Sequence, residues 1–335
     1  MDEPKKITLD SKQGIGIVLS GGGAGGAYEA GVIKALKEAG VKFKLAAGTS
    51  AGALNASLIA ADKIDQMVKL WEDISQKKVL SIRPKLKRGA LLSDDPLEKL
   101  IRAEIDEKAA KEIIDSSIKL IVISSDLRNK QAIVDEDFKN YEQIIKSLMS
   151  SCSIPVVFPF QELSKGVNDK KLVDQLVDGG IVNNFPIKEA IETGLCKNFF
   201  TVSLFVPEVE NSEDKEDYMR NLFHIGMRAL EIIFTNSYMK QINEVKEKIV
   251  LANSLKEMLD TKISTPNILS PEIEEKIKRL YEEYKIYEGI NIIEINPKKR
   301  LSIGILDFAK DKIKKAMEMG YEDAKEKLKN IEILQ

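Results

Sequence analysis

Short apolar runs alternate with amphipathic stretches through the N-terminal half of the chain, the pattern of strands laid side by side with helices between them. Ile15 to Ser20 carries no charge and reads as a strand. The glycine run Gly21 to Gly26 follows, after which Tyr28, Val32, Ile33, Leu36 and Ala39 recur at helical spacing until Gly40 ends the helix. Val41 to Ala47 predicts a second strand, Gly48 to Gly52 a sharp turn, and Ala53 to Ala61 the start of a second helix. Further strands are expected at Ile118 to Ser124 and Phe199 to Val206, with helices at Tyr141 to Ser150 and Pro186 to Thr193. From about Glu208 onward Lys, Glu, Ile and Leu dominate at helical spacing, broken by Pro266 and Pro271. Such a tail is compatible with a separate helical unit, but a short strand candidate at Ile292 to Ile295 and a final helix from Asp307 point rather to a return to the core. No internal repeat is visible.

The 335 residues allow one large domain or two small ones, and 43% hydrophobic residues suffice to fill a core of that size. Charged residues make up 31% and nearly cancel, leaving a formal charge of -2, so no global field draws the chain to nucleic acid. Cys152 and Cys196 are too few for a disulfide framework or a zinc cage, which fits a reducing compartment and argues against metal catalysis. Met1 to Gln13 is mostly charged and polar, unlike a secretory leader. The uncharged run Leu45 to Ala61 is rich in Gly, Ser, Thr and Asn and falls short of the roughly 18 apolar residues of a membrane span, so it is expected to be buried core.

The candidate chemistry centres on Ser50. It lies in Gly48-Thr49-Ser50-Ala51-Gly52, a Gly-x-Ser-x-Gly pentapeptide between an apolar strand and an alanine-rich helix, the setting of a serine nucleophile elbow. A serine hydroxyl needs a neighbouring base, usually an imidazole, yet the chain contains a single histidine, His224. The order Ser50, Asp178, His224 makes a triad formally available, but His224 falls inside Leu222 to Met227 within a helical pattern, whereas a triad histidine normally sits on a loop. A carboxylate acting directly is the other solution. Asp178 is the best candidate, since it ends the apolar run Leu176-Val177 and Gly179-Gly180 lets the backbone turn sharply behind it, although on turn chemistry alone an Asp before Gly-Gly is an ordinary turn residue.

The glycine loop admits three readings. A P-loop would end in Gly-Lys-Ser or Gly-Lys-Thr, whereas Gly26 is followed by Ala27 and Tyr28. A dinucleotide fingerprint matches Gly21, Gly23 and Gly26, but the next strand ends in Leu45, Ala46 and Ala47 with no acid for a ribose. An oxyanion hole gains force from the elbow one strand later, and it would be built from Gly21, Gly22, Gly23, Ala24 and Gly26.

The motifs Ser20-Gly21-Gly22-Gly23-Ala24-Gly25-Gly26-Ala27-Tyr28, Gly48-Thr49-Ser50-Ala51-Gly52 and Asp178-Gly179-Gly180, in this order, resemble the patatin-like phospholipases. Ser151 to Pro159 and Asn184-Phe185-Pro186 are similar to the family's pattern as well, and Ile295-Asn296-Pro297, Leu306-Asp307-Phe308 and Gly320-Tyr321 echo bacterial members. The resemblance implies acyl hydrolysis by a Ser-Asp dyad, Ser50 as nucleophile and Asp178 as proton acceptor, with no histidine and no metal or organic cofactor. One departure is Gly25, where many members carry a basic residue; a backbone oxyanion hole survives that change, while charge contacts of the missing side chain do not. The expected fold is α/β, a three-layer sandwich with a mostly parallel central sheet flanked by helices, plus a helix-rich C-terminal region. The expected division is a catalytic core over residues 14–205 and an extension over residues 206–335 packing on it.

The implied partner is a lipid acyl ester, a phospholipid or lysophospholipid. Between Lys77 and Leu92 the cations Lys77, Lys78, Arg83, Lys85, Lys87 and Arg88 are interleaved with Val79, Leu80, Ile82, Leu86, Leu91 and Leu92, with no acid before Asp94. Such a segment suits peripheral contact with an anionic membrane, although it also reads as an ordinary exposed connection. A cytoplasmic protein, peripheral on the membrane, is expected. The alternatives are a thioesterase or peptidase using the same serine, and a catalytically inactive scaffold or nucleotide-binding protein that keeps the glycine loop.

Overall fold

The computed structural model describes residues 6–83, 85–86, 89–165, 172–205, 222–264 and 270–334. In chain order these form β1 (Ile7–Asp10), β2 (Ile15–Leu19), α1 (Gly26–Glu38), β3 (Leu45–Thr49), α2 (Ala51–Ala60), α3 (Ile64–Asp73), α4 (Gln76–Val79), α5 (Asp95–Glu104) and α6 (Glu107–Asp115). There follow β4 (Lys119–Asp126), β5 (Gln131–Asp135), α7 (Tyr141–Ser151), β6 (Gln161–Lys165), β7 (Leu172–Asp178), α8 (Ile187–Glu192) and β8 (Asn198–Val202). The C-terminal part contributes α9 (Leu222–Ser264), α10 (Pro271–Tyr284), β9 (Asn291–Ile295), α11 (Lys310–Leu328) and β10 (Ile331–Leu334).

The fold is α/β. Eight strands form a central sheet in the order β6-β7-β4-β3-β2-β8-β9, with β5 paired to β4, and helices cover it. The β3, β2, β8 and β9 strands run parallel to their neighbours, while β5, β6 and β7 pair antiparallel. β2, β3 and β8 are buried along their whole length, which is why each reads as a continuous apolar run rather than an alternating one. Small side chains in β3, Leu45-Ala46-Ala47-Gly48-Thr49, let α2 lie close over the sheet. In α3 the buried residues Ile64, Met67 and Trp71 fall on one helical face. Asn140 opens α7 by accepting the Gln143 N–H at 3.0 Å.

The expected strand at Val41 to Ala47 is displaced. Strand pairing begins at Leu45 and runs through Thr49, so the turn contracts to Ser50 and the helix starts at Ala51. Before it, Lys44 donates to the Ile15 carbonyl at 2.8 Å as the chain enters the sheet. The strand expected over Phe199 to Val206 ends at Val202, and Val206 lies outside the described residues, as do Glu208 and Pro266. The last helix starts at Lys310, three residues after the expected Asp307. Leu45 to Ala61 is buried throughout apart from the half-buried Leu54.

The C-terminal part returns to the sheet. β9 adds an edge strand parallel to β8, β10 pairs with β1, and α11 packs on α1, where Tyr28 Oη donates to Asp323 at 2.9 Å. Among the described residues no helix is long and apolar enough to cross a membrane.

Along a single edge of β4, β3 ends with Thr49 opposite Ile123 and β7 ends with Asp178 opposite Ser124, while β5 occupies the other edge. β3 arrives parallel and β7 antiparallel, so their C-terminal ends meet head-on.

Candidate active site

The elbow is the sharpest turn in this region. Ser50 caps α2 with φ 54° and ψ -124°, a conformation that costs a non-glycine residue about 1–3 kcal/mol and persists only where its surroundings impose it. Ala53 and Leu54 donate to the Ser50 carbonyl at 2.9 and 3.2 Å, and the Ser50 N–H donates to Ser151 Oγ at 2.8 Å. A Cβ on Gly48 would lie 2.3 Å from the Gly52 carbonyl oxygen, so that position admits no side chain. The first turn of α2 then starts directly behind Ser50, with its N-terminal dipole facing the serine.

Asp178 meets Ser50 from the opposing strand end. Its carboxyl is fully buried, and Ser50 itself is only 3% exposed. Oδ1 accepts the Gly180 N–H at 2.8 Å, and the Asp178 N–H is held by the Ser153 carbonyl at 2.8 Å. Oδ2 is buried and closes no hydrogen bond of ordinary geometry, yet the Ser50 hydroxyl is near enough to lower the proton affinity of the group. Burial dominates and pushes the Asp178 pKa up to about 7, with the Ser50 hydroxyl and Gly180 N–H pulling the other way. A carboxyl so placed can both take and return a proton near neutrality.

Cys152 closes the same site. Burial, and next the Asp178 charge, raise its thiol well above the ordinary range against a smaller opposing contribution from the Ser50 hydroxyl. The thiol therefore stays protonated and forms a wall rather than a second nucleophile.

The glycine loop lies on the other side of Ser50; a Cβ on Gly21 would come within 3.0 Å of Ser50 Cβ. Most of the loop's N–H groups are already committed. Gly21 donates to Asn184 Oδ1 at 3.0 Å, Ala24 to the Ile305 carbonyl at 2.9 Å, Gly25 to the Gly22 carbonyl at 3.1 Å, and Gly26 to the Gly23 and Ala24 carbonyls. Of the five residues expected to form an oxyanion hole, Gly21, Ala24 and Gly26 are thus engaged internally. Among the described residues, the N–H groups of Gly22 and Gly23 enter none of these bonds. Gly23 adopts φ +57°, and a Cβ there would lie 2.0 Å from the Ile305 carbonyl oxygen.

Two supports were not legible in the sequence. Asn184, which the sequence offers only as part of the Asn184-Phe185-Pro186 motif, brackets Gly21 with its side chain, donating to the Gly21 carbonyl at 3.2 Å, while its N–H donates to Ser237 Oγ on α9 at 2.8 Å. Behind the loop, Asn55 on α2 donates to Glu29 Oε2 at 2.9 Å and to the Gly26 carbonyl at 3.1 Å, and accepts from Trp71 Nε1 at 2.8 Å. Burial raises the Glu29 carboxyl well above its usual range. The single histidine, His224, falls within α9. Gly179 and Gly180 form the turn behind Asp178, and the Phe234 ring on α9 packs on Gly180, where a Cβ would lie 2.6 Å from it.

At the end of the segment Lys77 to Leu92, Leu91 and Leu92 donate to the Val156 and Val157 carbonyls at 2.9 and 3.0 Å. Lys77, Lys78 and Arg83 are exposed, as are Ile82 (89%) and Leu86, Leu91 and Val156. Lys85 is instead paired with Asp94 at 2.8 Å and with Asp95, so this cation is neutralised by acids that follow it in sequence. Lys87 and Arg88 lie outside the described residues.

Residues 17–191 match the patatin-like phospholipase family. The chain is 33% identical over 191 residues to the uncharacterized protein YqhO of Bacillus subtilis (strain 168), covering 51% of this chain and 64% of that protein. It is 54% identical over 48 residues to lysophospholipase nte1 of Aspergillus terreus, 14% of this chain and 3% of that one, and 38% identical over 72 residues to neuropathy target esterase sws of Drosophila sechellia, 20% of this chain and 5% of that one. The chain thus spans less than two thirds of the length of each of these relatives. Among solved structures, VipD from Legionella pneumophila aligns over 95% of this chain and 67% of its own with a TM-score of 0.48 and 18% identity.

Proposed function

The chain belongs to the patatin-like phospholipase family, and from that premise we propose that it is a lipid acyl hydrolase in which Ser50 is the nucleophile and Asp178 the proton acceptor. The observation that carries the reading is the head-on meeting of β3 and β7 on one edge of β4, with a buried carboxyl of raised proton affinity against a serine on a strained elbow. On this reading Ser50 Oγ attacks the ester carbonyl carbon while Asp178 takes its proton. The Gly22 and Gly23 N–H groups receive the developing oxyanion, and the dipole of α2 adds to their field. Collapse expels the alcohol, which recovers the proton from Asp178. Water, deprotonated by Asp178, then attacks the acyl-enzyme, and the fatty acid leaves as Ser50 Oγ is reprotonated. The chemistry calls on no metal or organic cofactor.

The substrate class is a phospholipid or lysophospholipid, a reading supported by the similarity to proteins named lysophospholipase. Peripheral contact with an anionic membrane would run through Lys77, Lys78 and Arg83 together with the exposed Ile82, Leu86, Leu91 and Val156, and the protein would act from the cytoplasmic side. Residues 14–205 would form the catalytic core. The extension 206–335 would pack on it, which agrees with β9 at the sheet edge and Ser237 bonded to Asn184.

Fatty-acid release from mixed phospholipid vesicles tests the reading. Wild type and His224→Ala should release fatty acid and label with an organophosphonate, Ser50→Ala should do neither, and Asp178→Asn should do both far more slowly than wild type. Inactive but folded His224→Ala would restore the triad; wild type that labels yet hydrolyses only thioesters or peptides would move the substrate class.

A further inference from the structure

The peptide N–H of Ser50 has no partner in regular structure. Ser50 is the cap of α2, so no residue one turn earlier can accept from it, and the pairing of β3 with β2 and β4 stops at Gly48 and Thr49. The acceptor is Ser151 Oγ, 2.8 Å away and 101 residues distant in sequence. Ser151 is the last residue of α7, fully buried, and its hydroxyl proton goes to the Ile123 carbonyl at 2.6 Å. Ile123 is the β4 residue opposite Thr49, and the Gly179 backbone crowds the same carbonyl, where a Cβ would come within 2.4 Å. This hydroxyl therefore accepts from the elbow and donates to the strand that carries elbow and aspartate side by side. The next two residues continue the bracket. Cys152 is buried against Ser50 and Asp178, and the Ser153 carbonyl accepts the Asp178 N–H at 2.8 Å.

We infer that Ser151 is the positioning residue of the nucleophile: its hydroxyl locks the strained Ser50 peptide so that Oγ faces Asp178. This rests on the reading of Ser50 and Asp178 as the reacting pair. Without the hydroxyl the Ser50 peptide loses the bond that holds φ at 54°, and relaxation moves Oγ away from its base. A misplacement of about 1 Å is worth up to about 10²-fold in rate.

The test compares Ser151→Ala with wild type and with Ser147→Ala, which removes another buried hydroxyl one turn earlier on α7. Amide hydrogen exchange of peptides covering Ser50 should speed up by about tenfold or more in Ser151→Ala while β2 and β4 keep their protection. Turnover per organophosphonate-titrated Ser50 should fall about 10-fold to 100-fold with KM within about threefold of wild type. The pH midpoint of kcat/KM should move upward, because Oγ displaced from Asp178 no longer lowers the proton affinity of that carboxyl. A purely structural role would instead lower the fraction of titratable enzyme and leave turnover per site intact. Exchange at Ser50 matching the Ser147→Ala control, or turnover per site within about twofold of wild type, overturns the inference. Ser151→Cys, which keeps the volume and weakens both hydrogen bonds, takes the place of the alanine variant if that one does not fold. Should wild type neither label nor hydrolyse any acyl ester, the nucleophile reading fails, and exchange at Ser50 alone decides whether Ser151 holds the peptide.

Discussion

Replacing Asp178 by asparagine separates the proposed catalytic use of a buried carboxyl from its effect on the fold. In the folded chain burial moves this group from 3.8 to about 7. At about 1.4 kcal/mol per unit, the ionised form is disfavoured by about 4 kcal/mol relative to the unfolded chain. The sign follows from proton counting. Between pH 3.8 and about 7 the unfolded chain has released this proton and the native chain still holds it, so stability falls as pH rises through that window. Integrated, the penalty is about 1.5 kcal/mol at pH 5 and about 4 kcal/mol at pH 8. Asparagine carries no such proton and keeps an oxygen for the Gly180 N–H. The stability difference between Asp178→Asn and wild type should therefore widen in favour of the variant by about 2.5 kcal/mol from pH 5 to pH 8. Urea denaturation followed by Trp71, the one tryptophan of the chain and a buried one, measures it directly. Hydrolysis by the same variant should drop by about 10²-fold to 10⁴-fold. A gap that stays constant from pH 5 to pH 8 would refute the reasoning, because Asp178 would then carry no burial penalty.

The other expectations concern the same site and its supports. In wild type, kcat/KM should rise with pH through a midpoint of about 7 and level off above it, since on the proposed mechanism only ionised Asp178 accepts the serine proton; a flat profile from pH 5 to pH 9 contradicts the proposal. Gly23→Ala places a Cβ against the Ile305 carbonyl at a left-handed backbone position, and turnover should fall by about 10²-fold to 10³-fold, the usual cost of one lost oxyanion donor. Asn55→Ala strands the Trp71 N–H and a Glu29 oxygen in the interior, at a cost of about 2–4 kcal/mol readable in the urea midpoint. Changing Lys77, Lys78 and Arg83 together to glutamine should weaken binding to anionic vesicles at about 1 kcal/mol per cation and leave hydrolysis of a short soluble ester unchanged; equal vesicle affinity removes this surface from the reading.

Much of the site could be read from the chain because its signals are local. The strand before the glycine loop, the helix after it and the turn at Ser50 are each written within a few residues, as uninterrupted apolar runs, a helical period and glycines where no side chain fits. Asp178 was readable for the same reason, as an acid between an apolar run and Gly179-Gly180. Boundaries were less secure: the period in Val41 to Lys44 does not distinguish a strand from the segment leading into one, and only the pairing of Leu45 with Gly16 and Lys119 sets the start.

Contacts between distant segments left no such trace. Gly21 and Asn184 are 163 residues apart, and nothing near either marks the hydrogen bonds that commit the Gly21 N–H. Ile305 silences the Ala24 N–H from the far end of the chain. The residue types and spacings determined that this chain would offer a serine elbow, a glycine loop and one aspartate before a double glycine, since those depend on backbone conformations only certain residues adopt. Which of the loop's N–H groups stay free was decided by Asn184 and Ile305, and that Ser50 meets Asp178 at all was decided by a single edge of β4, because a strand edge aligns whatever pairs with it regardless of how far apart the partners lie in sequence.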